Sequence, residues 1–115
     1  MEKRVLVVAA HPDDCEWYAG GTIAKLAVAG AEITYVICTE GDKGSYDPDT
    51  NPLALAAQRK GEQQAACDLL QIKHVTYLGQ PDGVLVNAPE LRRQLATLYR
   101  QLQPELLLTF DPWKR

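Results

Sequence analysis

His11, Pro12, Asp13 and Asp14 stand together directly after an apolar run, Val5 to Ala10, in the densest cluster of ionisable residues in the chain. Imidazole and carboxylate are good ligands for zinc and similar divalent ions. His11 and Asp14 are three positions apart, so a tight turn leading into a helix would aim both at one point. Adjacent side chains diverge, and Asp13 would then point away from Asp14, able to hold a water on the ion without ligating it. Zinc lowers the pKa of its water to about 7, and a nearby carboxylate takes the proton to make a hydrolytic nucleophile. Pro12 fixes one dihedral and stiffens the turn. A plainer reading uses the same residues. Paired aspartates before a helix are a common N-cap with a favourable dipole interaction, and His11 could be a satisfied strand-end residue. From the residues alone both readings stand.

The elements around this cluster are of two kinds. Arg4 to Ala10 and Glu32 to Thr39 are β-branched-rich runs that read as strands, and Val75 to Leu78 and Leu106 to Phe110 repeat the theme. Near-continuous apolar runs suit parallel strands covered on both faces. The first helix begins within Asp14 to Thr22, carries Ile23, Leu26 and Ala27 on one face, and stops at Gly30. The second opens at Asn51-Pro52 and runs to about Leu70. Asn87 and Glu90 are spaced as a capping box for the third, which carries Leu91, Leu95, Leu98 and Leu102 and ends at Pro104.

Strands alternating with helices mean a parallel sheet with right-handed crossovers. The expected architecture is an open α/β sheet of Rossmann-like type, strand order 3-2-1-4. Ligands of such sheets bind outside the carboxyl ends of the strands, where the order reverses. That point lies between strands 1 and 4, and the residues following them are His11 to Glu16 and Asp111-Pro112-Trp113. The loop Glu40 to Asn51 is polar and glycine-containing, either a lid or a solvated connection.

The 115 residues leave room for one domain, expected to be a single α/β domain over residues 1–115. Hydrophobic residues are 46% and charged residues 23%, which excludes a disordered tail, a collagen-like fibre and a disulfide scaffold. No apolar run approaches the ~18–20 residues of a membrane helix, and the N-terminal run is too short for a secretory leader. A soluble, cytoplasmic protein with no membrane span is expected. Twelve basic residues against fifteen acidic, dispersed to a net charge of −3, offer no track for nucleic acid. Cys15, Cys38 and Cys67 fit neither a disulfide framework nor a cysteine zinc site, and Cys38 and Cys67 read as core.

AHPDDCE after the first strand, with Gly-Gly-Thr opening the next helical pattern, resembles the AHPDDE signature of the PIG-L/LmbE-like deacetylases. CTEGDKGS after strand 2, Arg59 and Glu62 in AAQRKGEQQAA, YLGQPDG after strand 3 and TFDPW after strand 4 agree in order and spacing. The likeness spans essentially the whole chain but only the N-terminal portion of the usual family domain. It implies a zinc-dependent hydrolase, another divalent metal being an alternative, that removes an acetyl group from an N-acetylated amine. The implied substrate is an acetylated amino sugar or glycoconjugate, commonly an N-acetylglucosamine derivative. His11 and Asp14 match two metal ligands, Asp13 the general base, and Arg59 a substrate-contacting arginine. The helical pattern puts Leu55, Arg59, Glu62, Ala66 and Leu69 on one stripe, so Arg59 and Glu62 would face inward. A surface pair at i, i+3 is the alternative. Asp82 in the Pro-Asp-Gly turn and Asp42 after strand 2 lie on the site side as candidate substrate contacts, and Cys15 is a neighbour of the site.

One departure stands out. The family's third metal ligand is a histidine downstream of the segment matching TFDPW, and the chain has no such motif. His74 begins strand 3, at the wrong end of the sheet. Two ligands hold metal weakly and leave the oxyanion without its supporting histidine. The expectation is an N-terminal part of a longer deacetylase, impaired as it stands. The competing readings are a non-catalytic carbohydrate- or nucleotide-binding module, and a subunit or homo-oligomer whose site another chain completes.

Overall fold

The computed structural model describes residues 3–41, 47–49, 51–72 and 74–111. Four strands, β1 (Arg4–Ala9), β2 (Glu32–Thr39), β3 (His74–Gln80) and β4 (Leu106–Leu108), alternate with three helices, α1 (Asp14–Val28), α2 (Pro52–Leu70) and α3 (Pro89–Leu102). The strands form one parallel sheet in the order β3-β2-β1-β4, as the alternation predicts. Arg4 pairs with Glu32 and Ala9 with Ile37, so β1 and β2 run in register to the end that carries His11.

The two central strands are covered on both faces, which is why they read as unbroken apolar runs. One face turns Val5, Val7, Ala9, Ile33, Tyr35 and Ile37 toward Cys15 and Ile23 of α1 and Cys67 of α2. The opposite face turns Leu6, Val8 and Val36 toward Leu95 and Leu98 of α3, with a cavity of about 190 Å³ between them. The layers differ in tightness. No residue of α3 is buried, and its leucine stripe is only half-covered.

The helix ends follow from local chemistry, with two corrections. α1 starts at Asp14 and breaks helical geometry at Ala19 (φ −139°), immediately before Gly20-Gly21, the residue pair that weakens the turn. It closes as a Schellman motif: Gly30, at φ 92°, donates to the Ala27 carbonyl and Ala31 to the Leu26 carbonyl. Asn51 caps α2 by accepting from Leu53 N (2.9 Å) and Ala54 N (3.2 Å). The capping box expected from Asn87 and Glu90 does not form. Pro89 forces the preceding Ala88 into an extended conformation (φ −105°, ψ 156°), so the helix begins one position later and Asn87 binds Arg92 instead.

The stripe expected on α2 is also rotated. Its buried residues are Ala56, Gln63 and Cys67, while Glu62 and Leu69 face solvent. Arg59 lies between the two stripes and is partly covered, which is the part of the expectation that stands. Replacing Asn51 with Ala is expected to lower the unfolding free energy by about 1 kcal/mol, seen as a lower urea midpoint at unchanged slope.

Candidate functional site

The carboxyl ends of β1, β2 and β3 converge on one rim. Thr39, fully buried at the end of β2, donates both its backbone N–H and its hydroxyl to the Ala10 carbonyl, each at 2.9 Å. This staple fixes the point from which the chain leaves β1 into His11. The turn that follows is tight: Asp14 N–H faces the His11 carbonyl at 3.4 Å. Asp13 closes it in the left-handed region, φ 76° and ψ −18°, which costs a non-glycine residue roughly 1–3 kcal/mol. Helix α1 starts immediately afterwards and directs its positive dipole end at the same place.

That turn brings His11 and Asp14 together. Asp14 Oδ2 accepts from the His11 backbone N–H at 3.0 Å and lies 3.4 Å from His11 Nδ1. On the other side of the ring, Nε2 is 2.7 Å from Asp82 Oδ1, delivered by the Pro-Asp-Gly turn after β3. A carboxylate only accepts, so in the neutral ring the proton belongs on Nε2, facing Asp82. Nδ1 then turns a lone pair toward the Asp14 carboxylate, two acceptors facing each other across a gap. That arrangement suits a cation. The donor set therefore fits a divalent ion as two of the three protein ligands usual in a catalytic zinc site. Among the described residues no group of three or more His, Cys, Asp or Glu side chains converges in this way.

Asp13 is held separately from this pair. Its side chain is half exposed, and Oδ2 lies 3.8 Å from Arg59 Nη2. The exposure limits that ion pair to about 0–1 kcal/mol. The backbone contacts of Arg59 are the more telling ones. Nη2 donates to the Pro12 carbonyl at 3.0 Å and Nη1 to the Gly41 carbonyl at 3.2 Å, tying the β1 and β2 exits together. Asp82 is 5% exposed and directed at the His11 ring. Its Oδ1 sits behind the ring, on the site side where a substrate contact was expected of it. Asp42, the remaining candidate, lies outside the described residues, as do Pro112 and Trp113. His74 is at the far end of the sheet, 3.6 Å from Glu32.

The rim extends beyond the point between β1 and β4 where the strand order reverses. Asp14 walls a cavity of about 260 Å³ between α1 and β4, whereas Asp82 reaches His11 from β3, past the end of β2. Cys15 is buried, and burial, followed by the Glu16 and Asp14 carboxylates, pushes its thiol far up, so it remains protonated beside the site.

Sequence reasoning missed Gln63. Its side chain is fully buried, accepts from Asp13 N–H at 2.9 Å and donates to Glu16 Oε1 at 2.5 Å. The available signal was an amide spaced four residues before Cys67 and seven after Ala56, on a face otherwise made of small apolar residues. Gly41 is the second omission. Its φ is 70°, and a Cβ there would overlap Arg59 Nη1 and stand 2.8 Å from Cζ. Gly41→Ala is expected to lower stability by about 1–2 kcal/mol, measurable by thermal melting, and to displace the Arg59 side chain.

The family model for PIG-L, GlcNAc-PI de-N-acetylase, matches residues 6–115. A diacetylchitobiose deacetylase from Thermococcus kodakarensis is 34% identical over 111 residues, covering 96% of this chain and 42% of the relative. The structure of an N,N'-diacetylchitobiose deacetylase from Pyrococcus horikoshii, in complex with an inhibitor, superposes with a TM-score of 0.93 at 38% identity, again over 96% and 42% of the two chains. The 4-carboxy-2-hydroxymuconate hydratase GalB from Pseudomonas putida superposes with a TM-score of 0.85 at 29% identity, over 97% and 50%. The chain thus spans about half or less of the length of the proteins it matches. A family match over nearly every residue, with the imidazole and carboxylates assembled at the strand ends, places this chain in the PIG-L family of de-N-acetylases.

Proposed function

We propose that this segment is the N-terminal part of a single deacetylase domain, residues 1–115 of a metal-dependent hydrolase that removes the acetyl group from an N-acetylated amino sugar. The observation that carries the reading is the facing pair His11 Nδ1 and Asp14 Oδ2, with Asp82 behind the ring and Asp13 turned aside on the same rim. The family description names an N-acetylglucosamine conjugate, and the Thermococcus relative is named for diacetylchitobiose, which supports an acetylated amino sugar as substrate.

In this reading His11 and Asp14 hold the ion, zinc or another divalent metal, with a third ligand supplied from outside the described residues. The bound ion supplies Lewis-acid polarisation of the acetyl carbonyl and a lowered pKa for water. Asp82 fixes the His11 ring through Nε2 and makes it a better donor, as carboxylates behind ligating histidines do. Asp13, exposed and outside the ligand pair, takes the proton from the attacking water. The water oxygen bonds to the acetyl carbon, the C–N bond breaks, and the proton held by Asp13 passes to the departing nitrogen, giving amine and acetic acid, which ionises to acetate by releasing its proton to solvent. Arg59 keeps Pro12 and Gly41 in place around Asp13, and in this reading the same guanidinium contacts the substrate. Cytoplasmic residence belongs to this reading, supported by three buried, unpaired thiols. No helix among the described residues is long and apolar enough to cross a membrane.

A second reading is favoured by one finding. GalB, alike in fold and sequence over this segment, is named as a hydratase, and a carboxylate that activates water serves addition to a double bond as well as amide hydrolysis. Product analysis separates them. The full-length protein carrying this segment, loaded with zinc and given diacetylchitobiose, should release acetate and a free amine in equal amounts. Absence of acetate with every divalent metal tried would reject the deacetylase.

Asp13→Asn in that protein is expected to reduce kcat by about 10²–10⁴-fold while leaving zinc content unchanged by elemental analysis. His11→Ala should lose the metal itself. Asp82→Ala should weaken zinc affinity by about 10–100-fold, measured by competition with a chelator, because it removes the ring's partner and leaves the ligand in place.

A further inference from the structure

Asp13 has a left-handed backbone conformation (φ 76°) that is disfavoured for an L-residue, less so for aspartate than for most, and that neighbouring contacts hold in place. Two contacts impose it here. Its carbonyl accepts from Trp17 N–H at 2.9 Å, starting α1, and its own N–H points into the protein at Gln63 Oε1, 2.9 Å away. The first contact is what any helix start provides. The second is specific, because Gln63 has no exposed surface and its Nε2 is engaged by Glu16 Oε1 at 2.5 Å, with Cys67 Sγ at 3.6 Å. The amide cannot flip without presenting its NH₂ to the Asp13 N–H and its oxygen to a carboxylate. Its orientation is therefore fixed from below.

Resting on the assignment of Asp13 as base, we propose that Gln63 is the positioning residue of this site. Its buried amide holds the Asp13 N–H, keeps the left-handed turn, and so keeps the Asp13 carboxylate apart from the His11–Asp14 pair. Without that acceptor the Asp13 N–H is left unpaired, the peptide rotates toward an ordinary conformation, and the carboxylate moves off the line of the attacking water. The ligand pair is not held through Gln63: His11 N–H and Asp14 Oδ2 are bonded within the turn itself. Base alignment and metal binding are therefore separable.

The test is Gln63→Met, similar in volume and without an acceptor oxygen, in the full-length zinc-loaded protein with diacetylchitobiose. The expected result is a fall in kcat of about 10–100-fold, with KM within about twofold and zinc content unchanged, as for a base displaced by about an ångström. Ile23→Val, a core change on α1 away from the turn, is the control for general loosening, and its kcat should match the unmodified enzyme. Equal kcat in the two variants overturns the proposal, and so does loss of zinc in Gln63→Met. Full turnover in Asp13→Asn would remove the base and this proposal together. Loss in Asp13→Asn with unchanged kcat in Gln63→Met overturns the positioning role alone. Should Gln63→Met not fold, hydrogen exchange at the Asp13 amide of the unmodified protein decides. Slow exchange is expected, and exchange at the rate of an open turn overturns the proposal.

Discussion

Asp13 sits at φ 76° between a strand that must end and a helix that must begin, and the side chains on either side of it take their directions from that one dihedral. The left-handed residue folds the turn back. His11 Nδ1 comes within 3.4 Å of the Asp14 carboxylate while Asp13 projects outward. The surroundings that keep this conformation are distributed: the Thr39 staple on Ala10, the Arg59 guanidinium on Pro12 and Gly41, and the Gln63 amide on Asp13 itself. The contacts from Thr39 and Arg59 fix the chain on the flanks of the turn, and the Gln63 amide is the one that acts on the Asp13 peptide itself.

How much of this was legible follows from which interactions are local. The sheet order was readable because β1 and β2 are buried on both faces and therefore carry unbroken apolar runs, and because the alternation with helices leaves few topologies. The Asn51-Pro52 start of α2 was readable because the cap lies within three residues. The direction in which α2 faces was not. Alanine, glutamine and leucine occur all round this helix, so two stripes one residue apart look alike in the sequence, and only packing against Cys15 and Tyr35 selects Gln63 over Glu62. The Asn87 capping box failed for a different reason: Pro89 acts on the conformation of the residue before it, which outweighs a spacing rule.

The site divides in the same way. The proximity of His11 and Asp14 is a three-residue matter and could be anticipated from turn geometry. The contact of Asp82 with His11 spans 71 positions and that of Gln63 with Asp13 spans 50, and nothing local announces either. Membership in the PIG-L family brings in proteins named as deacetylases and, in GalB, one named as a hydratase. In the proposed reading, a carboxylate that activates water on such a rim would serve either reaction. The two reactions would differ in the electrophile offered to that water.

The two faces of the sheet are unequally clad. On the side of α1 and α2 lie fully covered residues such as Ile23 and Cys67, whereas α3 offers only half-covered leucines over a 190 Å³ void. Every contact that shapes the Asp13 turn comes from the tightly clad side. Asp82 alone hangs from the segment that leads into α3. Fluctuation of that helix would therefore swing the buttress behind the imidazole while the turn stayed rigid, coupling the loosely clad face to a single ring nitrogen.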